Sequence, residues 1–225
     1  MKISTEGLIA LIGHEGIVLS RYRDSVGVWT IGVGHTKAAG GINPETFTGT
    51  LTMKEALELL RTDIVKYEAS VNAAVKVPLE QHEFDALVSF HYNTGAISRA
   101  TLTKTLNAGN KRLAGEQLMN WVKPQSIYGR RKAEMMLFLK GEYPPPVATA
   151  YPADAGGNVL WSKGTRVNVE SLISTPKLVI PAEVVPPPAK PIDAPAVIKP
   201  APVPESGWLS ALVKALLSAF SRSPA

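Results

Sequence analysis

Fifteen of the 18 prolines lie beyond Glu142; only Pro44, Pro78 and Pro124 precede it. Proline fixes φ, lacks a backbone N–H and is kept out of helix interiors and central strands. A helical core therefore has to come from residues 1–143, with extended chain after it. Pro-Pro-Pro at 144–146 and again at 186–188, alternating with Ala, Val and Lys, favours a polyproline-like linker over 144–205. Within that linker, residues 159–162 and 165–169 flank Lys163-Gly164, so a small hairpin is expected at 158–169, marginal unless it packs on something. The last segment, 206–222, places Trp208, Leu209, Leu212, Val213, Leu216, Leu217 and Phe220 on one helical face with Lys214 opposite. It is shorter than the roughly 20 apolar residues a bilayer span needs. The expectation is a cationic amphipathic helix able to contact an anionic membrane surface.

Within 1–143 the hydrophobic period changes twice. Leu8, Ile9, Leu11 and Ile12 recur at helical spacing behind Ser4 or Thr5 as cap, and Gly13 and Gly16 close a helix over 4–13. Residues 20–36 hold the turn cluster Asp24-Ser25-Val26-Gly27 and the β-rich run Val28–Val33, which predicts a hairpin. Alternation puts Trp29, Ile31 and Val33 on one face, and Thr30, Gly32 and Gly34 on an open one. From Thr52-Met53-Lys54-Glu55, a capping box, the pattern is helical again, with further helices from Pro78 to Gly95 and near 100–108, 111–121 and 129–140. The fold class is α+β: a mainly helical domain with one small N-terminal sheet and a proline-rich tail.

The chemistry concentrates at the first helix–hairpin junction. Glu15, Asp24 and Thr30 are separated by eight and five residues. Glycoside hydrolysis needs one carboxylic acid to protonate the leaving oxygen and a second group to activate water or attack. Partial burial after an apolar helix would raise the pKa of Glu15 and keep it an acid, whereas Asp24 lies in a polar turn beside Arg21 and Arg23. The spacing alone fits this role and fits three ordinary surface residues equally well. Other chemistries find less support. There is no cysteine, so thiolate sites and disulfides are excluded. His14, His82 and His91 show no metal-ligand spacing, and no metal or cofactor is called for. The net charge of +5 favours an anionic partner, but no basic, aromatic-rich stripe points to nucleic acid. Glu6 precedes the first apolar stretch, and His14 and Glu15 close it after seven residues, so a signal peptide or anchor is not expected.

The wider segment tips the balance. Glu15…Tyr22-Arg23-Asp24…Thr30-Ile31-Gly32-Val33-Gly34-His35 resembles the T-even-type phage lysozymes and their endolysin relatives (glycoside hydrolase family 24). Ala86-Leu87-Val88-Ser89-Phe90…Asn93-x-Gly95 and Gly129-Arg130-Arg131-Lys132-Ala133-Glu134 resemble that family's later helices. The resemblance spans roughly residues 3–141. It implies a lysozyme-like catalytic domain over 1–143, and a muramidase that cuts the β-1,4 bond between N-acetylmuramic acid and N-acetylglucosamine of peptidoglycan. In that reading Glu15 is the general acid, Asp24 lies opposite and Thr30 positions water. It further implies a structural pair between His35 and Asp63, and a cleft aromatic at Tyr92. Arg130 and Arg131 read as a solvated helix face or as contacts for peptide carboxylates. A monomer is expected, made in the host cytoplasm and released by a holin-type partner to act in the periplasm. The alternatives are a lytic transglycosylase, and a wall-binding module that does not hydrolyse.

Overall fold

The computed structural model describes residues 1–24 and 26–173. The amphipathic helix expected at 206–222, and the linker beyond residue 173, lie outside the described residues.

Helix α1 runs Thr5–Glu15, capped by the Ser4 hydroxyl, which accepts from the Gly7 N–H. It continues past Gly13 and ends where Gly16 adopts φ 75°, ψ 174°. That conformation is open essentially only to glycine. Glu15 is therefore the last helical residue rather than a loop residue. The chain then enters a three-stranded antiparallel sheet: β1 (Val18–Arg23), β2 (Trp29–Gly32) and β3 (His35–Thr36). Tyr22 faces Thr30 and Ile31 faces His35, with an irregularity in β1 between Val18 and Tyr22.

Helix α2 (Met53–Asp63) opens on the expected capping box, where Thr52 and Glu55 satisfy each other's backbone N–H groups. The helical pattern does not stop there. It pivots at Ile64 into α3 (Val65–Ala74). Then follow α4 (Gln81–Thr94), α5 (Thr101–Asn107), α6 (Lys111–Glu116) and α7 (Tyr128–Lys140), the last ending on left-handed Gly141. Helix α4 is the central element and packs against α7, α3 and α1. Phe84, Leu87 and Phe90 of α4 are wholly buried with Leu8, Leu11 and Ile12 of α1. Each such side chain contributes about 1.5–3 kcal/mol. Of the described helices, none is long and apolar enough to cross a membrane.

The stretch after Tyr143 differs from the extended chain the prolines suggested. Residues 147–150 form β4 (Val147–Ala150), which pairs with β5 (Thr165–Asn168), Val147 opposite Asn168 and Ala150 opposite Thr165. The expected pairing of 159–162 with 165–169 gives way to this longer-range one. The prolines fall outside both strands, so nothing blocks the ladder. Strand β4 also docks on the start of the first sheet, where Ile17 donates to the Thr149 carbonyl (2.9 Å) and Tyr151 donates to the Ile17 carbonyl (2.8 Å). Ala148 and Val169 are buried in the main core, and a short helix α8 (Glu170–Ile173) closes the described chain.

Candidate active site

The ends of two elements frame the site. Because α1 ends at Glu15 and β1 ends at Arg23, the carboxyl-bearing residues flank one strand. The Glu15 side chain is fully sequestered. Its Oε1 accepts from Arg130 Nη1 at 2.6 Å, whereas Oε2 finds no partner among the described residues. Burial raises the pKa of Glu15; the Arg130 charge and hydrogen bond oppose this without cancelling it. A buried carboxyl whose second oxygen is unbonded and whose acid form is favoured is equipped to give up a proton.

Asp24 closes the tight turn between β1 and β2. Its Oδ1 accepts from the N–H groups of Val26 (3.0 Å) and Val28 (2.8 Å), and its own N–H donates to the Val28 carbonyl (3.0 Å). Thr30 donates its hydroxyl to that same carbonyl at 3.1 Å. Asp24 and Thr30 are thus both tied to the Val28 peptide, which fixes one against the other. The loop that joins β4 to β5 reaches this turn as well, since Arg23 donates its N–H to the Gly157 carbonyl at 2.8 Å.

The open face expected on β2 is closed. Thr30 is only 2% exposed, and a Cβ on Gly32 would meet Ala56 and Leu51 within 4 Å. Alternation predicted the face correctly but could not foresee that α2 covers it. Tyr92 is likewise inside: its hydroxyl donates to the Val33 carbonyl at 2.6 Å, and its ring packs on Tyr67. That position offers a sugar ring no open face. His35 and Asp63 sit together, with Nδ1 at 2.8 Å from Oδ2. His35 Nε2 lies 2.8 Å from the Ile42 carbonyl. Burial alone would lower the His35 pKa, but the bonds to Asp63 and Ile42 outweigh it and leave it raised. Among the described residues no three His, Asp or Glu side chains converge as a metal site.

The arginines are the largest departure. Arg130 and Arg131 do not form a solvated face; they are 8% and 0% exposed. Arg130 Nε bonds Glu134 Oε1 at 2.9 Å and its Nη2 bonds the Ser89 carbonyl at 3.1 Å. Arg131 is ion-paired to Glu134 and hydrogen-bonded to Asn93. Glu134 carries no role in the sequence motif, although Arg130 and Glu134 stand four apart, the spacing of a helix ion pair. What the sequence could not convey is that α4 lies over that side of α7. Tyr22 was also missed; it is buried beside Glu15 and Asp24, and burial pushes its hydroxyl pKa upward.

Residues 12–134 match the model of the family described as phage lysozyme, a stretch that contains Glu15, Asp24, Thr30 and the Arg130–Glu134 pair. The chain is 37% identical over 145 residues to an endolysin of Salmonella phage P22, covering 62% of this chain and 99% of that one. It is 35% identical over 136 residues to a SAR-endolysin of Escherichia phage Mu, covering 57% of this chain and 76% of that one. The structure resembles an endolysin from Escherichia coli O157:H7 phage FAHEc1 with a TM-score of 0.58 at 37% identity, over 64% of this chain and 97% of that one. With the match spanning more than half of its length, the chain belongs to the phage lysozyme family.

Proposed function

We propose that this chain is a phage endolysin that hydrolyses the β-1,4 bond between N-acetylmuramic acid and N-acetylglucosamine, with Glu15 as proton donor. The observation that carries this reading is the buried Glu15 carboxyl, ion-paired through one oxygen only and held toward its acid form. Protonated Glu15 gives its proton to the glycosidic oxygen as the bond breaks. Asp24, fixed by the Val26 and Val28 N–H groups, bears on the opposite side of the developing oxocarbenium ion. Thr30, pinned to the Val28 carbonyl, stands beside Asp24 to hold the attacking water. Mass spectrometry of fragments from purified sacculi tests the reaction. Hydrolysis leaves reducing muramic acid ends, and exclusively anhydro ends would assign a transglycosylase instead.

The site of action is the periplasmic wall, reached from the cytoplasm through a holin-type partner, by a monomeric enzyme. Residues 206–222 supply contact with anionic lipid. Leakage of dye from anionic vesicles should be stronger for the full chain than for one lacking 206–225, and equal leakage would remove the membrane role.

A further inference from the structure

Arginine usually grips a carboxylate with two parallel N–H···O bonds. Arg130 does not do this to Glu15. Only Nη1 reaches Glu15, because Nε is held by Glu134 and Nη2 by the Ser89 carbonyl. The Ser89 hydroxyl in turn donates to Glu134 Oε1 at 2.7 Å, and Glu134 Oε2 is occupied by Arg131. All four charged side chains are at most 7% exposed. Any reorientation of one therefore requires a neighbour to give up its bond.

We infer that Glu134 is a positioning residue for the proton donor: it splits the Arg130 fork so that Glu15 keeps one oxygen outside the ion pair. The inference rests on the reading of Glu15 as the acid. With Glu134 uncharged, Arg130 loses its charge-assisted bond at Nε, and only the neutral Ser89 carbonyl then opposes a turn of both arms onto Glu15. The carboxylate would then be held bidentately, with the oxygen that carries the proton covered. The alternating order Glu15, Arg130, Glu134, Arg131 also balances charge, and removing one negative member leaves an excess positive charge beside Glu15. Both effects act in one direction, against protonation of Glu15.

The groups facing this chain of charges come from five elements. They are His14 from α1, Tyr22 from β1 with Asp24 after it, Tyr67 from α3, Tyr92 from α4, and Arg130, Arg131 and Glu134 from α7. His14 is held near 4 by burial and by Arg130, so it stays neutral over the working range and adds no charge to the chain.

The test is the pH–rate profile of E134Q on purified sacculi, with the Glu15 carboxyl followed by 13C NMR. The alkaline limb should move to lower pH while the acid limb stays, so that at a fixed alkaline pH the variant runs roughly 3- to 10-fold slower. The NMR midpoint of Glu15 should fall in step, and E134D should restore both. A folded E134Q with an unmoved Glu15 midpoint overturns the proposal. A midpoint that falls without moving the rate limb instead overturns Glu15 as the donor, since NMR reads the carboxyl whatever its role. Should E134Q fail to fold, the wild-type protein decides. The Glu134 carboxyl resonance must inflect at the Glu15 midpoint if the two share Arg130, and a featureless trace refutes the coupling.

Discussion

At the scale of single residues, this protein isolates its charges and spends their electrostatics locally. His35 is the clearest case, since its bonds to Asp63 and the Ile42 carbonyl favour the imidazolium despite burial. A raised folded pKa means that this stabilisation is complete below the ordinary histidine value of 6.5 and is lost as pH climbs through the raised value. His14 and His91, both held near 4 chiefly by burial, act with the opposite sign and weaken the fold as pH drops from 6.5 to 4. Urea denaturation from pH 4 to pH 9 should therefore show a maximum. Asp63→Asn should remove the loss on its alkaline side and leave the acid side alone. The His35–Asp63 pair was legible from family resemblance. The arginine–glutamate chain was not, because local sequence does not say whether an Arg-Arg-x-x-Glu face meets water or another helix.

At the scale of elements, the helix-to-strand junction at Gly16 decides where the acid points. Its φ of 75° and ψ of 174° are strained for any side chain, and a Cβ would stand 3.2 Å from the Thr149 carbonyl and the Tyr151 ring. Gly16→Ala should cost about 1–3 kcal/mol in chemical denaturation and lower activity as well, because Glu15 is displaced with the helix end. In the centre of the core, Leu87→Ala should cost about 2–5 kcal/mol, with α4 buried against several neighbours and unable to collapse into the gap. Helical period, caps and stop glycines announced most of these elements: the Thr52–Glu55 box and Gly141 behave as their residue types dictate. The break at Ile64 escaped because both sides keep a helical pattern and no glycine or proline marks the turn. Alternation on β2 could not distinguish a face open to ligand from one covered by α2, as the burial of Thr30 and Gly32 makes plain.

At the scale of the whole molecule, the catalytic fold is extended by a clasp. Strands β4 and β5 are separated by 14 residues and pair nonetheless, with β4 bonded to Ile17 and the following loop bonded to Arg23. Composition hid this, because prolines crowd the flanks while the strands themselves are proline-free. Chains ending at 143 and at 173 separate the two descriptions. The shorter one should melt roughly 5–15 °C lower, at about 2–4 °C per kcal/mol for a domain of this size. Equal melting temperatures would show that the clasp contributes nothing. The central claim, however, is that a single buried carboxyl supplies the proton for cutting the wall. Glu15→Gln keeps the shape and the Arg130 contact but removes the titrating proton. Its rate on purified sacculi should fall by roughly two to four orders of magnitude with the melting temperature nearly unchanged. Retention of wild-type activity by the folded variant would contradict the account.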